Sequence, residues 1–362
     1  MTKVFYKLLL NILSLLFFMV VIGSCNIFRN SSPAEAFTNP LLPSGPDPWN
    51  IYVDGYYYYT HTTGNNIVIW KTKTLAELKT AEKKTVWTPP NETAYSRNLW
   101  APEIHFINNN WYVYFAADNG RNANHRIYVI ENSSKDPMQG EWTLKGKVAD
   151  STDRWAIDAS VFEHKDKWYM VWAGWEGHKN GSQDIYIASL KNPWTIEGKR
   201  YRISAPYYAW EKYGDLIEDS AREVPAHVDV NEGPQILKHK NKMFLIYSAS
   251  GCWTDYYGLG MLTFTGKDNL LDSSAWRKSP QSVFKQSSIN KVYAPGHNSF
   301  FKSPDGKEDW ILYHANQAPD MGCGGRRSPR AQKFKWNRDG TPNFGEPVKP
   351  GVRIKAPSRI KR

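Results

Sequence analysis

Five short stretches recur along this chain in one setting: "GPDPWNIY", "WAPEIHFI", "AIDASVFE", "NEGPQILK" and "PGHNSFFK". Each opens a strand-like run with a polar residue, in turn Asp47, Glu103, Asp158, Glu232 and His297, at spacings of 56, 55, 74 and 65 residues. A turn signal follows each opening, such as Asp54-Gly55, "FINNN", "EHKDK", "KHKNK" or "KSPDGKE". Behind the turn comes an aromatic, β-rich run: "YYYYTHT", "WYVYFAAD", "KWYMVWAGW", "KMFLIYSAS" or "DWILYHAN". Third strands follow in "NIVIWKT", "HRIYVIEN", "QDIYIASL", "GLGMLTF" and "RAQKFKWN", and long helical periodicity is absent.

A unit of several antiparallel strands, repeated five times without helices, predicts an all-β, five-bladed β-propeller. In that fold the first strand of each blade lines the central axis, so the five opening residues gather at one channel mouth. A β-sandwich would also alternate, but it gives no reason for a polar residue at one phase of every repeat. Asp47, fixed between Pro46 and Pro48, then has a purpose: it is one of several polar groups brought to a common axis.

The chain has 362 residues, which fits one large all-β domain, and its 16 tryptophans are ample for a large core or for flat platforms. Its formal net charge of +11 is spread without blocks of like sign, the pattern of a solvated basic surface. An acidic polysaccharide or a membrane surface is compatible with that charge. No RNA- or DNA-binding signature accompanies it, so nucleic acid is not an expected partner.

The start of the chain reads as an export signal. A basic "MTKVFYK" precedes the apolar run "LLLNILSLLFFMVVIG", which at 16 residues is short of a bilayer span. The junction "VIGSC" has the form of a lipobox with Cys25 as the lipidated residue, the alternative being an ordinary signal in which Cys25 is incidental. This divides the chain into a signal peptide over 1–24, a tether over 25–38 and the propeller over 39–362. The expected location is outside the cytoplasm, held to the envelope by lipid. Two cysteines remain, Cys252 and Cys323, and export allows a bridge between them as well as two buried thiols.

Three carboxylates converging on one mouth suit glycoside hydrolysis. One carboxylic acid protonates the leaving oxygen while a carboxylate across the sugar activates water, with inversion at the anomeric carbon. A third carboxylate nearby raises the pKa of the acid by like-charge repulsion. Asp47, Asp158 and Glu232 are the candidates, and Glu103 is expected to be structural.

In order and spacing, "GPDPWNIYVDGYYYY", "WAPEI", "WAIDASVF", "NEGPQILK" and "GHNSFF" resemble glycoside hydrolase family 43 from about residue 39 to about residue 347. The resemblance implies a five-bladed propeller acting on arabinose- or xylose-containing polysaccharides. It implies Asp47 as general base, Asp158 as pKa modulator and orienter, and Glu232 as general acid, with no cofactor needed for the chemistry. It sets Arg330 against the sugar or the carboxylates and His297 in the channel, where some relatives carry a calcium ion or an ordered water. Trp100, Trp175, Trp253 and Tyr293 lie next to the blade openings, where they either stack on a sugar ring or pack in the core. The stretches "YSASGCWTDYYGLGML" and "GCGGRRSPRAQKFKWNRDGTPNFGEP" look most like α-L-arabinofuranosidases, which makes an inverting exo-acting arabinofuranosidase the expected function. β-Xylosidases and arabinan-cleaving relatives share the same triad, and a non-catalytic sugar-binding propeller is the rival of another class.

Overall fold

The computed structural model describes residues 35–266 and 269–359. The expected signal peptide, Cys25 and most of the tether lie outside them.

The strands group as the repeats predict. Blade one holds β2 (Trp49–Val53), β3 (Tyr56–Thr60), β4 (Ile67–Thr72) and β5 (Glu82–Trp87). Blade two holds β6 (Arg97–Ile107), β7 (Asn110–Asp118), β8 (Arg126–Asn132) and β9 (Thr143–Val148). Blade three holds β10 (Ala156–His164), β11 (Lys167–Gly174), β12 (Ser182–Asn192) and β13 (Thr195–Ser204). Blade four holds β14 (Asp229–His239), β15 (Lys242–Ala249), β16 (Gly258–Phe264) and β17 (Trp276–Lys278). Blade five holds β18 (Tyr293–Lys302), β19 (Asp309–Asn316), β20 (Ser328–Trp336) and β21 (Pro342–Asn343). Within each blade successive strands pair antiparallel, and a short parallel contact between β12 and β14 joins blades three and four. The fold is a five-bladed β-propeller.

The core is divided into wedges between neighbouring blades. The four-tyrosine run shows why alternation builds it this way. Tyr57 and Tyr59 pack toward blade five against Phe301 and Trp310, while Tyr58 and Tyr56 turn to the other face and meet Trp111 of blade two. The same alternation sends Met170 and Trp172 to the blade-two side and Val171 to the blade-four side. A strand buried on both faces has no polar face, which explains the aromatic density of these runs.

The ring closes through its ends. The segment after Phe37 runs beside β20, with Leu41 N–H donating to Pro329 O at 2.8 Å and Gly45 N–H to Arg327 O at 3.0 Å. Asn39 completes a bridge with Ala331, giving and receiving one hydrogen bond of 3.0 Å each. Outside the blades, β1 (Ala36–Thr38) pairs antiparallel with β22 (Arg353–Lys355). Gly45 must be glycine: a Cβ there would fall 2.7 Å from Tyr59 Oη and 2.8 Å from Pro329 Cγ. This seam delivers Asp47 beside the residues that precede β20.

Candidate active site

At the opening of each inner strand the backbone turns left-handed at a shared phase, and in blades two and five it also does so three residues earlier, at Asn98 and Ala294. The residues at the shared phase are Asp47 (φ 55°), Ala101 (φ 45°), Asp158 (φ 59°), Gly233 (φ 56°) and His297 (φ 45°). In blades two to five the strand register slips at the same point, so each is a bulge that re-aims a side chain. Non-glycine residues held this way cost about 1–3 kcal/mol each, a strain that collects at functional sites. The repeated phase therefore differs from the one expected. It includes Asp47, Asp158 and His297, but Glu103 falls two residues after it and Glu232 one residue before.

The offset separates two layers. Glu103, Ser160 and Gln235 share the deeper position. The Gln235 amide donates to Glu103 Oε1, Ser160 Oγ donates to Gln235 Oε1 at 3.1 Å, and His105 Nε2 lies 3.2 Å from Glu103 Oε2. Burial pushes the Glu103 carboxyl upward while these hydrogen bonds pull against it. The network ties blades two, three and four together beneath the mouth.

Asp47, Asp158 and Glu232 meet at the mouth, with His297 among them. Its Nδ1 lies 3.3 Å from Asp47 Oδ1 and 4.0 Å from Asp158 Oδ2. The imidazole rests against Gly233, where a Cβ would sit 3.3 Å from the ring, so this residue is glycine for both space and φ. All four polar side chains are buried.

Their environments differ in sign. Burial alone would raise the Asp47 carboxyl, but it receives Arg327 Nη1–H at 3.0 Å and Thr62 Oγ1–H at 2.6 Å, and two imidazoles face it. The net result holds Asp47 well below the usual carboxylate range. Burial pushes both His297 and His314 toward their neutral forms, so Arg327 and Thr62 are the groups that keep Asp47 ionised. His314 Nδ1 also accepts the Asp47 backbone N–H at 3.0 Å, which fixes its tautomer.

Asp158 and Glu232 go the other way. Burial, then the charges of Glu232 and Asp47, push Asp158 well above its ordinary value, although Gly233 N–H donates to its Oδ2 at 3.0 Å. Burial pushes Glu232 up to about 7 against the opposing hydrogen bond from Tyr257 Oη, 2.7 Å from Oε1, with Asp47 adding to the rise. Both Asp158 and Glu232 are thus pushed toward their protonated forms, opposite to Asp47. The sequence suggests that a third carboxylate raises the acid; here burial comes first for both groups, with Asp47 adding to the rise of Glu232 and both Glu232 and Asp47 adding to that of Asp158.

The arginine at the carboxylates is Arg327, which corrects the expectation for Arg330. Arg330 is fully buried in β20 opposite Tyr313, and its nearest hydrogen-bond partner is Ser328 Oγ at 3.5 Å. Arg326, Arg327 and Arg330 lie too close in sequence for spacing to choose among them. The aromatic candidates also separate. Trp100 is half-buried and stacks on His125 at 4.0 Å, while Trp175 is 3% exposed and stacked on Trp155, leaving little surface for a sugar. Trp253 donates its indole N–H to Asp215 O at 2.8 Å, and Tyr293 begins β18. Thr62, Tyr257 and His314 also reach these carboxylates, and "THTT", "DYYG" and "YHAN" carry no spacing that marks them in the sequence.

Asp158, Glu232 and His297 place one ligand atom each within 4.8 Å of one another, so the group can hold a metal by distance. Cys252 and Cys323 form a disulfide joining the loop after β15 to the loop before β20.

A buried site with one carboxylate held ionised and two pushed toward protonation, at the mouth of a five-bladed propeller, is the apparatus of a glycoside hydrolase. The chain belongs to the glycosyl hydrolases family 43, whose sequence profile matches residues 37–342. It is 40% identical over 330 residues to an extracellular exo-α-(1→5)-L-arabinofuranosidase of Streptomyces avermitilis, covering 89% of this chain and 66% of that one. An enzyme of the same description from Streptomyces chartreusis is 37% identical over 298 residues, 81% of this chain and 86% of its own. The crystal structure of an α-L-arabinofuranosidase from Lactobacillus brevis superposes with a TM-score of 0.79 at 38% identity, covering 87% of this chain and 98% of that one.

Proposed function

We propose that the protein is an inverting, exo-acting α-L-arabinofuranosidase that releases terminal arabinofuranosyl residues from plant cell-wall polysaccharide. The observation that carries the reading is the electrostatic split between Asp47 and the Asp158–Glu232 pair. Asp47 takes a proton from water as that water attacks the anomeric carbon. Glu232 gives its proton to the departing glycosidic oxygen, so the bond breaks without releasing an alkoxide. Asp158 orients Glu232. The likeness to the two Streptomyces enzymes supports arabinofuranose as the sugar.

The calcium expected beside His297 takes six to eight oxygen ligands. The group offers one imidazole and two carboxylates that the hydrolysis itself employs. The residues do not fit that ion, and no step runs through it. For location, the disulfide suits an oxidising compartment, and the two Streptomyces relatives are named as extracellular. Lipidation at Cys25 completes the reading. Cys25→Ala is expected to move the enzyme from the membrane fraction to the soluble fraction, and a wild type already soluble would remove the anchor from the proposal.

The chemistry is tested by changing the leaving group. Glu232→Ala is expected to lose most activity on arabinan yet retain far more on a nitrophenyl arabinofuranoside, whose leaving group needs little protonation. Asp47→Ala is expected to fail on both. Proton NMR of the first-formed sugar should show the β-anomer; an α-anomer would mean retention and would remove Asp47 from the role of base.

A further inference from the structure

The mouth carries a feature that the hydrolysis does not use. Residues 205–228, the longest connection between blades among the described residues, lead into blade four and are hydrogen-bonded to the loop over residues 250–257 between β15 and β16. Of the seven large hydrophobic residues exposed among the described residues, four stand on these two loops: Tyr207, Tyr213, Ile217 and Tyr256. Tyr213 and Tyr256 stack at 3.8 Å with their planes 12° apart, yet remain 44% and 55% exposed. A stacked pair fills its inner faces and leaves the outer surfaces to solvent. Exposed apolar surface gathered in one place marks a binding site more often than scattered residues do.

The pair is rigidly mounted. Tyr213 O accepts Gly251 N–H at 2.7 Å, and Tyr213 N–H donates to Ser250 Oγ at 3.2 Å. Below them, fully buried Glu211 accepts Tyr207 N–H and Tyr208 N–H at 2.9 Å each, and pairs with Lys278 at 2.6 Å. Tyrosine rings held this way give contact area at low entropic cost. Along the chain the stack adjoins the site: the residue after Tyr256 is Tyr257, whose side chain is buried and whose hydroxyl donates to Glu232 Oε1 at 2.7 Å. On the proposed reading Glu232 protonates the leaving group, so this loop flanks the leaving-group side.

The surrounding charge selects the ligand. The chain as a whole is basic, but Asp215, Glu218, Asp219, Glu223 and Asp255 stand on these two loops, opposed by Lys212, by Arg222 paired with Asp219, by Arg121 paired with Glu223 and by His227 beside Asp215. A uronate-bearing chain would be repelled there, whereas an uncharged sugar can lay its C–H face on an aromatic surface.

We infer that Tyr213 and Tyr256 form a platform for the neutral polysaccharide chain on the leaving-group side of the scissile bond, and so set preference for long over short substrates. This rests on the proposed glycosidase reading for which side of Glu232 the leaving group occupies. The test compares full-length wild type with Tyr213→Ala/Tyr256→Ala on short and long linear arabino-oligosaccharides and on nitrophenyl arabinofuranoside. The double variant is expected to lose about tenfold in kcat/KM on the long chain, the scale of one well-packed aromatic anchor, mainly through KM. Its kcat/KM on the nitrophenyl substrate should stay within about twofold of wild type. Tyr213→Phe/Tyr256→Phe should keep the preference for long chains. Equal losses on every substrate, or none on the long chain, overturn the platform. If wild type releases no arabinose at all, the glycosidase reading fails separately. The platform is then judged by calorimetry with Glu232→Gln protein and neutral oligosaccharides, and it stands only if the alanine pair weakens long-chain binding.

Discussion

In the proposed mechanism one contact, that of Asp47 with Arg327, sets the acid limit of the working pH. With the guanidinium present, Asp47 stays ionised far into acid. Arg327 also opposes the rise of Glu232, and its charge holds His297 down. Arg327→Ala should therefore move both limbs of the kcat/KM–pH profile upward, whereas loss of either carboxylate alone would affect a single limb. Arg330→Met, deep in β20, should change stability and leave the profile in place. Glu232 makes a second prediction, about stability. Its folded value of about 7 exceeds its ordinary 4.5, so its contribution is intact below pH 4.5 and is lost as pH rises toward 7. The difference corresponds to about 3 kcal/mol at alkaline pH. Glu232→Gln should thus melt several degrees above wild type near pH ~9 and show no such gain near pH ~4, by calorimetry at both pH values. At this scale the carboxylates were legible in the sequence because each sits in a short motif at a blade opening. Arg327 was not, because its place depends on how a loop folds back rather than on a strand's phase.

The loops carry what the strands leave open. The Cys252–Cys323 bridge spans 71 residues and ties the loop of the tyrosine stack to the loop that ends in Arg327. Asp320 N–H adds a second tie, donating to Asp255 Oδ1 at 3.1 Å. Closing a loop of this length removes about 4 kcal/mol of unfolded-state entropy in the chain-entropy account. Cys252→Ser/Cys323→Ser should lower Tm, and in the protein that remains folded the acid limb should rise toward that of Arg327→Ala. A lowered Tm with an unchanged acid limb would show that Arg327 is held by Gly45, Gly324 and Asp47 without help from the bridge. The sequence left bridge and free thiols equally open because the two cysteines lie on different blades, and only the ring places those blades side by side. The left-handed bulges were similarly hidden. Asp47, Asp158, Gly233 and His297 are of types enriched at positive φ, but Ala101 is not, and nothing local in "WAPE" announces the turn.

At the scale of the whole molecule the propeller was readable because its repeat is redundant: five hairpins in series each say the same thing, and an error in one leaves the others intact. Closure has no such redundancy. It depends on residues 39–45 lying beside β20, with Asn39 standing in for a backbone unit by donating to Ala331 O and accepting from Ala331 N–H. The mature chain was expected to begin its fold at Asn39, yet nothing in "FTNPLLPSG" reveals the partner, almost 300 residues away. Asn39→Ala leaves the peptide groups flanking and including Ala331 with a buried donor and a buried acceptor unpaired, at about 1–3 kcal/mol for each. The seam also positions Asp47 against Arg327, so loosening it should disturb chemistry as well as stability. We expect Asn39→Ala to lower the denaturant midpoint without changing the slope of the transition, and to lower kcat on nitrophenyl arabinofuranoside. Asn39→Asp supplies only acceptors, and should fall at least as far because its carboxylate would face Ala331 O across the broken bond. Unfolding should remain a single transition in all three proteins, since each wedge of core is shared by two blades and no blade retains its packing alone. Two separated transitions in Asn39→Ala, one reported by fluorescence and a later one by far-ultraviolet circular dichroism, would instead show that an opened ring keeps folded blades, and closure would then serve the active site alone.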